Sequence, residues 1–339
     1  MESIRPIESA LVSVVIPFYN RRKTLARALD SVAAQSYPNW EVVLVDDGST
    51  DRSIDVAKDY AARFPGQIRV FRQQNGGPGV ARNTGIAAAR GSFVAFLDSD
   101  DQWKPVFIDR VLAAFHACPD VDWVYTNVSR TDEHGNAIIP SVFDDERSGP
   151  FRSLKTRRCQ HLNIIEDPAF LETAIRRTVK EGANSMVRRS VFDRVSYHPT
   201  IRFGEDRLLT MLAIGAGFKF GYIDEVLMTK YHHGENISMI DDRDVDQNLR
   251  SMADRIKGLE YIQRTLQLGR REELAVRARI SEFYLECGRV MIDGRRGLIR
   301  PVPYLVRAVL ANPDRASMLY VIGRKIRNRL TRKREPALR

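Results

Sequence analysis

Three carboxylates, Asp98, Asp100 and Asp101, fall within four residues, directly after the apolar run Phe93-Val94-Ala95-Phe96-Leu97. A run of that length and composition predicts a buried strand of a parallel sheet, covered on both faces. In open α/β sheets, ligands sit beyond the carboxyl ends of the strands. Carboxylates crowded at such a place repel one another unless a cation joins them. A divalent metal that holds a phosphate-bearing substrate is the natural partner. A lone Asp-x-Asp is more often a solvated acidic turn. Here a second run, Trp40 to Val45, ends in the similar Asp46-Asp47-Gly48-Ser49-Thr50-Asp51.

The elements that must position these groups are legible around them. A third β-rich run, Leu11 to Ile16, leads into Pro17-Phe18-Tyr19-Asn20. Helical spacing of apolar residues covers 23–35 and 53–64. This βαβα alternation predicts a doubly wound, mostly parallel sheet. Right-handed crossovers then bring all three strand ends to one crevice. Pro17, with no N–H for a ladder, is expected to end the first strand. Tyr19 is expected on the crevice rim. The glycine-rich Gly76-Gly77-Pro78-Gly79 leads into a predicted helix over 80–89. Glycine permits close approach of backbone to ligand, and a helix start favours anions. Arg82 is placed to reach a phosphate or sugar. The glycine spacing is not a dinucleotide fingerprint, and no strand is read immediately before it. A P-loop is excluded because the Gly-Lys-Ser/Thr ending is missing. Further on, Glu205-Asp206 opens an apolar helix over 208–214. Acids at that place are usually explained by the helix dipole alone. His232 and His233 are adjacent on an extended segment and point opposite ways, so at most one serves a site.

The chain has 339 residues, enough for one large domain or two modest ones. No apolar stretch approaches a membrane span, and Glu2 and Glu8 break any secretory pattern at the start. Cys118, Cys159 and Cys287 are scattered without metal spacing, so reduced thiols in a cytosolic compartment are expected. The net charge of +10 belongs to one end. Between Glu286 and Arg339 there are fourteen Lys/Arg and four Asp/Glu, and the rest of the chain is neutral. Within it, Leu319, Ile322, Ile326 and Leu330 recur at helical spacing among Arg324, Lys325, Arg327 and Arg329. A basic amphipathic helix over 314–339 favours an anionic membrane surface. Nucleic acid is the rival, but no DNA- or RNA-reading motif is present, and none is expected as a partner. A terminal helix with a solvated basic face is the plainer alternative.

Four blocks in order resemble glycosyltransferase family 2, the inverting nucleotide-sugar transferases of the GT-A fold. They are Val14-Val15-Ile16-Pro17-Phe18-Tyr19-Asn20, Val45 to Asp51, Asn75 to Gly85, and Phe96-Leu97-Asp98-Ser99-Asp100-Asp101. Gly204-Glu205-Asp206 and Tyr231 to Ser238 look like the later motifs, so the resemblance covers roughly 11–240. It implies that Pro17 and Tyr19 form part of the base-binding wall. It implies that Asp47 accepts a hydrogen bond from a uracil ring N–H, which fits uridine and not cytidine. Asp51 caps the next helix or takes part in catalysis. Asp100 is assigned to Mn²⁺ or Mg²⁺, Asp98 to the ribose or to the metal through water, and His233 to the metal or diphosphate. Asp206, with Glu205 beside it, is the implied general base. Two departures bear on the acceptor. Val195-Ser196-Tyr197-His198 stands where the family often has Gly-Gly-Phe-Asp, and Arg207 replaces an aromatic.

The resulting expectation is an α/β catalytic domain over 1–240, with a nucleotide-sugar half (11–120) and an acceptor half (121–240). A helical region with a basic tail follows over 241–339. The expected activity is inverting, metal-dependent transfer of a sugar from a UDP-linked donor to a hydroxyl of a glycan or lipid-linked acceptor in cell-surface polysaccharide synthesis. Its expected place is the cytoplasm, peripheral at the inner face of the cell membrane. Two alternatives stand beside it. One is a phosphatase using Asp98 as nucleophile, against which Gln102 counts. The other is a non-catalytic sugar-nucleotide-binding protein of the same fold.

Overall fold

The computed structural model describes residues 9–132, 134–144, 150–177, 184–233, 244–293 and 301–313. The chain divides into two compact units, 1–236 and 237–339.

The first unit opens with β1 (Val12–Phe18), α1 (Leu25–Ala33), β2 (Trp40–Asp46), α2 (Ser53–Arg63), β3 (Ile68–Arg72), α3 (Pro78–Ala88) and β4 (Phe93–Phe96). It continues with β5 (Gln102–Trp103), α4 (Phe107–Ala117), β6 (Trp123–Asp132), β7 (Ala137–Ile139), β8 (Thr156–Cys159), β9 (Leu162–Ile165), α5 (Phe170–Arg176), β10 (Ser185–Arg188), α6 (Glu205–Gly215) and β11 (Phe220–His232). Among the described residues, all eleven strands belong to one sheet whose main path runs β3-β2-β1-β4-β10-β6-β11-β9-β8. The half formed by β3, β2, β1 and β4 is parallel throughout. Strands β1, β2 and β4 are buried on both faces, as their near-continuous apolar runs require, while β3 at the edge is partly exposed. Strand β10 then enters antiparallel between β4 and β6, while β6 and β11 are parallel to each other. The fold is therefore the expected α/β class, with antiparallel strands added in its second half.

Packing fixes the helices that carry the site. Helix α1 buries Leu25, Ala28, Leu29 and Val32, an i, i+3, i+4, i+7 stripe, against the sheet core. Each such Val or Leu contributes roughly 1.5–3 kcal/mol on burial. Helix α3 lies against β1 through Gly85, where an added Cβ would stand 2.3 Å from Val15 Cγ1. Only glycine allows that approach.

Two sequence expectations need correction here. Pro17 does not end β1; it pairs with Val45, and Phe18 follows it in the ladder. Phe18 O accepts from Asp47 N on the β2 side, and Val15 O accepts from Leu97 N on the β4 side. By the two-residue period, Pro17 faces the β4 side, beyond the pairing of β4 with β1, which stops at Val15. Its missing N–H therefore costs no ladder bond. The cysteines are not all reduced. Cys118, just after α4, is disulfide-bonded to Cys159 at the end of β8, while Cys287 is free and buried. The separation of 41 positions between the two partners gave no spacing cue, and only the fold brings the end of α4 against β8. The argument from reduced thiols to a cytosolic compartment falls with it.

The second unit contains α7 (Val245–Thr265), α8 (Arg270–Asp293) and α9 (Val302–Ala311). The tail 314–339, for which an amphipathic helix is expected, lies outside the described residues. Among the described residues, no helix is long and apolar enough to cross a membrane.

Candidate functional site

The loop after β4 turns tightly, with Asp101 N donating to Asp98 O at 3.1 Å. The turn gathers the carboxylates of Asp98, Asp100 and Asp101, one oxygen of each lying within 4.8 Å of the others. Asp101 is fully buried, Asp100 nearly so, and Asp98 is partly open. Three hard oxygen donors at this spacing fit Mg²⁺ or Mn²⁺.

Residues distant in sequence hold this loop. Arg27, on α1, donates Nη2 to Asp100 O at 2.6 Å and lies 3.5 Å from the centroid of the Tyr231 ring. Tyr231 N donates to Asp101 Oδ1 at 3.1 Å. Arg21 Nε lies 3.5 Å from Asp100 Oδ2, and His233 Nε2 lies 3.2 Å from the same oxygen. Burial alone would raise the Asp100 pKa. The His233 hydrogen bond and the charges of Arg21 and Lys230 outweigh it and hold the carboxyl below its ordinary value. His232 is the last residue of β11; it is the neighbouring His233 that reaches Asp100.

Arg82 joins this loop to α6. It is 6% exposed, with Nη2 on Asp98 Oδ1 and Nη1 on Glu205 Oε1, both at 2.8 Å. Its planar fork suits two carboxylates at once. These pairs use two of its five N–H donors, and they join it to carboxylates where the sequence reading gave it a phosphate or sugar. Glu205 opens α6 behind Gly204 and is buried. Burial first, and then the Asp206 charge, push its pKa up to about 7 against the pull of Arg82. Asp206 is less buried, and its Oδ1 accepts from Arg207 N at 2.7 Å. Arg207 itself turns to the carbonyls of Ala174 and Ile175 near the end of α5. Tyr197 is 1% exposed, packs edge-on to Phe96, and is held through its backbone by the Asn83 amide.

Asp47 is buried at the end of β2 and anchors the glycine-rich loop. It accepts from Gly76 N, Gly77 N and Gln73 Nε2, each at 2.8 Å. Gly77 has φ 90°, a conformation that favours glycine, and so lets the loop turn into α3. Strand β3, unread in the sequence, ends at Arg72, shortly before this loop. Tyr19 is 42% exposed beyond β1. Asp51 accepts from Arg22 N and Ser53 N, both at 3.0 Å, and so ties the β1 loop to the start of α2.

The fold thus gathers Asp98, Asp100, Asp101, His233, Arg82 and Glu205 into one linked group, with Asp206 adjoining Glu205 in the chain. Asp47 instead holds the neighbouring loop. Sequence reading missed Arg21 and Arg27, and it named Tyr231 as the start of a motif block without its contact to Asp101. No local motif marks these contacts, because each acts across 70 residues or more.

Comparison with known proteins places this arrangement. The family model for glycosyl transferase family 2 matches residues 13–196. The uncharacterized glycosyltransferase EpsJ of Bacillus subtilis is 30% identical over 67% of this chain and 61% of its own length. The minor teichoic acid biosynthesis protein GgaB of the same organism is 28% identical over 65% of this chain and 22% of its own. The chain therefore spans less than two thirds of these relatives. Among solved structures, S. aureus TarS 1–349 in complex with UDP-GlcNAc superposes with TM-score 0.57 at 21% identity, over 88% of this chain and 79% of that one. The mannosyltransferase PcManGT of Pyrobaculum calidifontis, in complex with GDP-Man and Mn²⁺, gives TM-score 0.55 at 16% identity, over 94% and 80%. With its GT-A sheet and the family's motif blocks gathered beyond the carboxyl ends of its strands, the chain belongs to glycosyltransferase family 2.

Proposed function

We propose that this protein is an inverting glycosyltransferase that uses a UDP-linked sugar and a divalent metal, and that its acceptor is a hydroxyl of a glycan or lipid-linked glycan in surface polysaccharide synthesis. The observation that carries the reading is the Asp98/Asp100/Asp101 cluster, tied through Arg82 to Glu205 beside Asp206. The names of EpsJ and GgaB and the UDP-GlcNAc bound to TarS support the reaction and donor class.

In this reading Tyr19 and Pro17 border the base. Asp47 reads a uracil ring N–H: its three donors fill three of roughly four acceptor positions on a carboxylate. Asp98, Asp100 and His233 would hold Mn²⁺ or Mg²⁺, which would supply positive charge against the diphosphate when bound. Asp206 takes the proton of the acceptor hydroxyl as that oxygen bonds to the anomeric carbon. The bond from that carbon to the diphosphate oxygen breaks on the opposite face, and its electron pair leaves with UDP. Arg82 and Glu205 position the two carboxylates around this line. The cytosolic membrane face remains our placement on the charge of 314–339 alone, since a disulfide is rare in the cytosol.

The test is a panel of UDP-sugars with candidate glycan acceptors, read by UDP release and by the anomeric proton of the product. An α-linked donor should give a β-linked product. Retention of configuration would contradict the assignment of Asp206 as base.

A further inference from the structure

Among the described residues, helix α9 packs through one face. Leu305 and Ala308 are buried against Leu285 of α8, and the rings of Tyr284 and Tyr304 lie 6.5 Å apart. On the other face Val302, Val306 and Leu310 are 47%, 50% and 76% exposed. Their i, i+4, i+8 spacing puts them in one stripe along the helix. Scattered exposed hydrophobics are ordinary, but a row of them is not. Among the described residues seven large hydrophobics are exposed, and three of them are this row.

In the sequence on either side of the stripe the charge is of one sign. Residues 294–313 contain Arg295, Arg296, Arg300 and Arg307 and no acidic residue. Residues 314–339 add nine Lys/Arg against two acids. We propose that the Val302/Val306/Leu310 face of α9 is a docking surface for an anionic lipid bilayer, with the apolar row entering the headgroup boundary and the basic residues before and after it in the chain attracted to lipid phosphates. A second copy of the chain is the poorer occupant, because pairing α9 with itself would bring like charges together. The proposal rests on the membrane placement above but assigns it a different element, and it does not depend on the transferase chemistry.

The experiment is co-sedimentation of the full chain with phosphatidylcholine vesicles, with and without phosphatidylglycerol. Wild type, Val306→Asp/Leu310→Asp, the milder Leu310→Gln, and a chain lacking 314–339 are compared. UDP binding is measured on each as a check of the other unit, and circular dichroism as a check of folding. Wild type should bind only the anionic vesicles. The double variant should lose about tenfold or more of that affinity with UDP binding unchanged, and Leu310→Gln should fall between. Equal binding by the double variant, with loss only on removing 314–339, overturns the role of α9 and leaves the tail in place. No binding by wild type overturns both. A wild-type dimer in analytical ultracentrifugation that the double variant dissolves overturns the proposal in favour of a second copy. Failure of the transferase reading would appear separately, as wild type that binds vesicles and no nucleotide.

Discussion

The parallel half of the sheet carries a buried acid–arginine cluster at each end of its strands, and the two are built to different purposes. At the amino ends, Glu41 Oε1 accepts from Ser13 Oγ at 2.6 Å and from Arg90 N at 2.7 Å, while Oε2 meets Arg69 at 2.8 Å. One carboxylate faces three donors. Burial would raise the Glu41 pKa, but the bonds from Ser13, Arg90 and Arg69 outweigh it and hold it below its ordinary value. At the carboxyl ends several acids share Arg21, Arg82, Lys230 and His233. Three aspartates crowd within 4.8 Å, and Glu205 is pushed up to about 7. In the first cluster the donors satisfy the single carboxylate. The second gathers three carboxylates and the raised Glu205 with Arg21 and Arg82, and such clusters of perturbed groups mark functional sites.

The comparison breaks most sharply at Asp206. Asp206→Asn should lower kcat by about 10²–10⁴ with UDP affinity unchanged, measured by turnover and calorimetry. A parallel loss of nucleotide binding would move Asp206 from the acceptor side to the donor side.

At the opposite end Glu41→Ala should cost about 3 kcal/mol of unfolding free energy, because it strands Arg69 and Ser13. UDP binding by the folded fraction should persist. The sign with pH is fixed by the lowered pKa. The stability from Glu41 is present above its ordinary value of 4.5 and is lost as pH falls through the folded value. Urea melts of the variant should therefore be less acid-sensitive than those of wild type.

Glu205 should behave in the opposite sense. Its folded pKa is raised, so the contribution is full below 4.5 and declines as pH rises through about 7. That shift corresponds to about 3 kcal/mol. In metal-free protein, Glu205→Gln should flatten the fall in stability between these two pH values. An unchanged profile would mean that Arg82 keeps Glu205 ionised throughout.

The smallest effect belongs to the scaffold between the two ends. Gly85→Ala forces a Cβ against Val15 and should cost about 1–3 kcal/mol in stability. It should weaken UDP binding only as far as α3 and its preceding loop shift.

How much of this was legible beforehand follows the same division. Runs such as Val12–Phe18 and Trp40–Asp46 are buried on both faces, and their apolar continuity marks them plainly. Their polar endings marked Asp47, Asp98 and Asp100. Strand β3 was missed because its pattern Ile68–Arg72 alternates with arginines and sits partly exposed. The insertion of β10 between β4 and β6 was equally hidden, since register across the sheet leaves no trace in so short a run. Arg27 and Tyr231 support the acidic loop through a backbone carbonyl, an amide and a ring face, contacts that no residue spacing encodes. The Cys118–Cys159 bridge was hidden for the same reason.

The most direct test of the central claim is calorimetric titration of UDP, GDP and CDP into wild type and Asp100→Ala, with and without Mn²⁺. The account predicts that UDP binds in the presence of metal, that GDP and CDP bind far more weakly, and that Asp100→Ala abolishes the metal-dependent affinity while the protein stays folded. Nucleotide binding that ignores both Mn²⁺ and Asp100, or no nucleotide binding at all, would contradict it.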